Sequence, residues 1–136
     1  MDNKALSYLS LARKGGLAEL GEEPVGAIAR AGKAYVVLVA SDASDHTWRR
    51  AKSYIAGTEQ QCVRLEASKD EMGFAVGRTS LAIAAITDVQ LALALVKSMT
   101  KADPKVLEVL AAKAAKAKKR QAEAKAHQRN LRKGKK

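Results

Sequence analysis

The chain has 136 residues and a mass of 14.5 kDa, which suffices for one domain with a core and hardly for two. Its formal charge of +11 and sequence pI near 10.0 favour a polyanionic partner such as nucleic acid or an acidic membrane surface. A single cysteine, Cys62, excludes an internal disulfide and the paired spacing of a zinc knuckle, and no apolar run approaches the roughly 18 residues that span a bilayer.

In chain order, Leu6, Leu9 and the stem of Arg13 share a helical face that stops at Gly15-Gly16, so a short first helix is expected. Gly21-Glu22-Glu23-Pro24 places acids and a proline where a helix begins, and Val25, Ile28 and Ala29 give that second helix its apolar face before Gly32. Residues 35–40 are a continuous apolar and β-branched run, the pattern of a central strand covered on both faces. Ser41 to Asp45 offers several caps for a helix from 46 to about 56, ended by Gly57. Residues 61–65 read as a short strand. Ser68 and Glu71 have capping-box spacing for a helix to about Val76, residues 80–86 as a strand, and Thr87 or Asp88 caps a helix to about Met99. Strands alternating with helices predict an α/β fold with a mainly parallel or mixed sheet between two helical layers.

After Pro104 the composition shifts to Ala, Lys, Arg and Gln. Residues 1–100 hold 12 basic residues against 11 acidic ones, whereas residues 101–136 hold 13 against 3. Two parts are therefore expected: a nearly neutral domain over 1–100, and a Lys/Ala-rich basic tail over 101–136, helical or disordered.

Three stretches in order carry a resemblance. They are residues 11–16 with Gly21-Glu22-Glu23, then residues 31–34 leading into 36–43, then residues 68–73 with Ala75 and Gly77. Together, over residues 4 to 99, they resemble the kink-turn-binding ribosomal protein family typified by L-seven-Ae and L-thirty-e, most closely its small bacterial YlxQ-type branch. The resemblance implies a three-layer α/β/α sandwich around a four-stranded mixed sheet, matching the alternation read from the residues.

It also implies where RNA is held. The family grips RNA at the start of its second helix with the pattern G-x-N-E-x-x-K; Gly21 keeps the glycine, while Glu23, Pro24 and Ala27 stand in place of Asn, Glu and Lys. Ionised Glu23 only accepts hydrogen bonds and repels phosphate, so weaker selectivity than that of the relatives is expected. Glu22 and Glu23 belong to the branch's own pattern. The family's second contact is the loop at Gly77-Arg78-Thr79, where Arg78 supplies charge and a stacking plane. Arg30 and Lys33, with Arg13 and Lys14, flank the second helix as phosphate contacts or as ordinary solvated charges. Apart from the resemblance, the tail interleaves Lys and Arg with helix formers, and its Lys118, Lys119 and Arg120 are expected to add nonspecific contacts to RNA phosphate.

Catalytic candidates are few. His46, His127 and Cys62 lie far apart, no metal-ligand spacing or phosphate-binding glycine motif occurs, and Asp42, Asp45 and His46 are most simply read as helix caps. The five aromatics (Tyr8, Tyr35, Trp48, Tyr54 and Phe74) are too few for a base-stacking sheet platform, and Trp48 is expected to pack on the core. With no secretory leader pattern after Met1, the expected location is cytoplasmic. The expected function is non-enzymatic binding of structured RNA, ribosomal or ribosome-associated, by a monomer with no cofactor and no membrane contact, alongside ribosomal proteins. The alternative is a protein-interaction adaptor in which the acidic Glu22-Glu23 end receives another protein.

Overall fold

The segments Val36-Val-Leu-Val39 and Ile83-Ala-Ala-Ile86 are buried at every position, so their backbone polar groups must be paired within the protein, and such short apolar runs are paired as strands covered on both faces. In the computed structural model, which describes residues 3–133, they form its two central strands. The elements in chain order are α1 (Lys4–Lys14), β1 (Ala18–Leu20), α2 (Glu22–Arg30), β2 (Val36–Val39), α3 (Asp45–Ile55), β3 (Gln61–Arg64), α4 (Lys69–Ala75), β4 (Ile83–Ile86), α5 (Val89–Lys97) and α6 (Pro104–Lys133). The sheet order is β1-β4-β2-β3. β2 and β3 are parallel with Val36 opposite Gln61, and β4 is antiparallel to both β2 and β1, with Ile86 opposite Val36 and Ala18. With α2 packed on α3, and α1 packed on α4 and α5, this is the three-layer α/β/α sandwich around a mixed four-stranded sheet.

The strand β1 carries little sequence signal. Its Ala-Glu-Leu alternates but is only three residues long and has no β-branched residue, and its state is imposed by pairing with β4, extended by Thr87 N–H donating to the Leu17 carbonyl at 2.9 Å. The helix starts, by contrast, follow local chemistry. Ser68 Oγ accepts from the Glu71 N–H (3.1 Å) while Glu71 Oε1 accepts from the Ser68 N–H (3.0 Å), closing the capping box. Ser44 and Asp88 cap α3 and α5 without the reciprocal bond, their side chains accepting from the Thr47 and Leu91 N–H.

Proline 104 occupies the first position of α6, where its missing N–H costs nothing. The change of composition at residue 101 lies between α5 and α6, yet the core continues past it. Val106, Leu110 and Ala114 are buried, and the Gln90 side-chain amide donates to the Ala114 carbonyl at 3.2 Å. The first three turns of α6 thus pack on α5, and residues 118–129 are exposed apart from Ala126. At 1.5 Å per residue the helix is about 45 Å long, so roughly half of it projects.

Candidate nucleic-acid interface

Gly21 caps α2 with φ +96°, a conformation that only glycine adopts without strain, and its N–H donates to the Ile83 carbonyl at 3.0 Å. The start of α2 is thereby pinned to the first residue of β4. A Cβ built on Gly21 would stand 3.8 Å from Pro24 Cδ and 4.0 Å from Arg78 Nη1, so the Arg78 guanidinium lies over the first turn of α2. The two contacts expected from the sequence, 57 residues apart, meet at one end of the sheet.

The loop carrying Arg78 is fixed by α4. The Arg78 N–H donates to the Gly73 carbonyl (2.8 Å), the Leu81 N–H donates to the Lys69 carbonyl (3.0 Å), and Gly77 turns the chain at φ +75°. A Cβ on Gly73 would come within 2.7 Å of both N and Cα of Ser80 and 2.9 Å of the Arg78 carbonyl oxygen, so a bare backbone is what lets this loop rest on the helix. Gly77, Arg78 and Thr79 are all exposed at the rim.

The acids at this end are partly neutralised from a neighbouring helix. Arg50 of α3 pairs with Glu22 at 2.9 Å, while Glu23 is exposed; both glutamates also favour the positive end of the α2 dipole. An exposed aromatic stands beside the loop. Phe74 of α4 is 88% exposed and its carbonyl accepts from the Gly77 N–H at 3.3 Å. It borders a hollow of about 470 Å³ between α1 and α4, lined by Leu6, Ser7, Ser10 and Glu71 among others. The sequence does not mark Phe74 as exposed, because a lone aromatic in a short helix reads equally as core until the inward face of that helix is known. With Met72, Gly73 and Val76 turned inward, position 74 falls on the outer face of α4.

The remaining expected residues lie elsewhere. Gly26 lets α2 press against Tyr54 of α3, with the ring 3.2 Å from the position a Cβ would take, and Arg30 folds back over the same spot at 3.3 Å. Lys33 is exposed in the turn after α2, at the opposite end of that helix from Gly21. Lys118, Lys119 and Arg120 are exposed on α6, and Arg120 stands near Tyr35 and Glu59, at the end of the sheet away from Arg78. Arg78 and Gly21 are therefore brought together, while Arg30, Lys33 and the tail cations are not part of that cluster.

The polar groups after β2 are committed to structure. Asp42 Oδ1 accepts from the Lys69 N–H at 2.8 Å, and Arg64 donates to the carbonyls of Ala40, Ser41 and Ala43 at 3.2 to 3.3 Å. The Arg64 guanidinium also lies 5.0 Å from the centre of the Trp48 ring, and Trp48 packs on the core as expected. Burial pushes the Cys62 thiol up to about 12, with Lys52 and Arg64 opposing the shift only in part, so it lacks the thiolate character of a reactive cysteine. Among the described residues no group of three or more His, Cys, Asp or Glu is placed to hold a metal ion, and no helix is long and apolar enough to cross a membrane.

No family model matches the sequence, and no curated protein does. Among solved structures, the chain is similar to a protein of unknown function from Bacillus halodurans, with a TM-score of 0.68 and 22% identity over 74% of this chain and 100% of that one. It is also similar to the Giardia lamblia 15.5kD RNA binding protein, with a TM-score of 0.52 and 18% identity over 82% of this chain and 88% of that one. At these identities the likeness is one of fold.

Proposed function

We propose that this chain binds structured RNA, ribosomal or ribosome-associated, through the end of the sandwich where Arg78 lies over the start of α2, and that it stands closest to the YlxQ-type branch of the L-seven-Ae family. The observation that carries this reading is the approach of Arg78 Nη1 to within 4.0 Å of the Cβ position of Gly21, which joins a cation to a helix start that has no side chain in the way. The fold shared with the Giardia RNA binding protein supports it.

The chemistry is that of binding without catalysis. Arg78 offers a planar, permanently charged donor set for phosphate or for a base edge. Phe74 offers one exposed ring, and an unpaired base stacked on it contributes about 1–3 kcal/mol. Glu23 accepts hydrogen bonds only, so it tolerates base amino groups and disfavours phosphate at that point. The projecting part of α6 adds a sequence-independent attraction. The setting proposed is the cytoplasm.

The test uses the full chain with Arg78→Ala and Phe74→Ala, measured against a ribosomal RNA hairpin containing an internal bulge and a duplex of equal length. The wild type is expected to prefer the hairpin, and each variant to lose about tenfold of that preference while keeping its affinity for the duplex. If the wild type does not distinguish the two RNAs, selective recognition at this end is wrong, and the adaptor reading with a protein at Glu22-Glu23 gains.

A further inference from the structure

The opposite end of the sheet holds a second feature. There α6 passes the turns that lead into β2 and β3 and leaves a groove of about 370 Å³, walled by Tyr35 on the sheet side and by Lys113, Lys116 and Arg120 on the helix side. Lys113 Nζ lies 3.3 Å from Glu59 Oε2, which ties the helix to the turn before β3 and uses both charges. Lys116 and Arg120 are one helical turn apart on the same face, exposed, and without an ion-pair partner among the described residues. Tyr35 is half-buried, and its backbone is held on both sides, by its N–H donating to the Ile86 carbonyl (2.9 Å) and its carbonyl accepting from the Gln61 N–H (3.2 Å). Glu108 also lines the groove, about two turns back along α6 from Lys116.

A fixed aromatic wall facing two unpaired cations is the arrangement that single-stranded nucleic acid uses, a ring for the base and a basic edge for the backbone. The groove's own charges give it direction: phosphate is attracted to the Lys116–Arg120 end and repelled at the Glu108 end, where a base amino group can donate instead. We infer that this groove is a second RNA site, which takes a nucleotide of a single-stranded segment with its base against Tyr35 and its phosphate on Lys116 and Arg120. The inference rests on the RNA-binding reading and adds to it a single-strand site at the far end of the sheet from Arg78. α6 is then one wall of a shaped site as well as a source of charge.

The experiment compares two double variants of the full chain that remove equal charge, Lys116→Ala with Arg120→Ala in the groove, and Lys118→Ala with Lys119→Ala, which do not line it. Binding of a fluorescent eight-nucleotide oligoadenylate is read by anisotropy, and amide shifts of the wild type are followed during the same titration. The groove pair is expected to weaken the oligonucleotide about tenfold and the control pair about threefold or less. The amides of Tyr35, Ala112 and Ala117 are expected to shift on binding. Equal losses in the two pairs, or no shift at Tyr35, would overturn the groove as a site and leave only diffuse attraction to the helix. The two proposals fail separately. Loss of hairpin preference in the Arg78 and Phe74 variants together with equal losses in the two pairs removes the groove alone, whereas a groove effect with an unchanged Arg78 variant removes the other end alone. Absence of all RNA binding by the wild type removes both.

Discussion

Gly73 sets how closely the loop of Arg78 can lie on α4. Because the nearest atoms to an added Cβ are backbone N and Cα at 2.7 Å, no rotamer change relieves the clash, and the loop must move. Gly73→Ala is expected to lower stability by about 1–3 kcal/mol in urea unfolding and to reduce hairpin selectivity as Arg78→Ala does. Loss of stability with full selectivity would show that the position of Arg78 does not matter for recognition. Cys62 gives a different test. Its thiol stays protonated in the fold up to about 12, against the ordinary 9.0 that applies in the unfolded chain. Above that ordinary value the unfolded chain releases the proton and the native one keeps it, so the stability associated with this residue is intact below pH 9.0 and declines as pH rises toward about 12. Wild type is therefore expected to lose stability relative to Cys62→Ala as pH is raised from about 8 to about 11. Parallel pH profiles for the two proteins would mean that the thiol is better hydrated than its burial indicates.

Among the elements, those whose state is local were legible and those whose state is tertiary were not. β2 and β4 are apolar throughout, and Ser68 with Glu71 marks the start of α4 by side chains that bond their own backbone. β1 is only three residues, too short for its alternation to be told from chance, and is extended because β4 offers an unpaired edge. The start of α6 misled for the opposite reason: its composition announces a solvated basic segment, while only Val106, Leu110 and Ala114, spaced at four, reveal the buried stripe. Leu110 is fully buried, so Leu110→Ala is expected to cost about 2–5 kcal/mol, a core-sized effect measurable by thermal or urea unfolding. A chain ending at residue 117 is expected to retain the stability of the full one within about 1 kcal/mol, and a chain ending at residue 100 to lose it, because only the second exposes the face of α5.

At the scale of the molecule, the sandwich separates a nearly neutral body from a strongly charged extension. The meeting of Gly21 and Arg78 could not be read from their spacing; it came from the family resemblance, and the geometry follows from the Gly21 N–H bonded to Ile83 and from the loop resting on Gly73. The same topology sends Lys33 and Arg120 to the other end, a separation that no linear pattern of lysines discloses. The charges proposed to attract RNA are therefore distributed over two ends of one sheet. With six to eight of the basic residues neutralising phosphates, the logarithm of the affinity for single strands should fall with the logarithm of salt at a slope of about −4 to −6. A slope near −1 would show that the extension takes no part.

The half-anchored state of α6 also defines how the chain meets a protease. Trypsin requires a basic residue in backbone that can leave the helix and extend into its cleft, and local opening of that kind is governed by tertiary contacts rather than by sequence. From Lys118 to Arg129 the helix has basic residues in plenty and no buried face to hold it, whereas at Lys113 the neighbouring Ala114 and Leu110 keep the backbone closed. Brief digestion should therefore pare the chain back from its C-terminal side and halt between Lys113 and Arg120, so that the boundary of the folded body is written in the length of the surviving fragment.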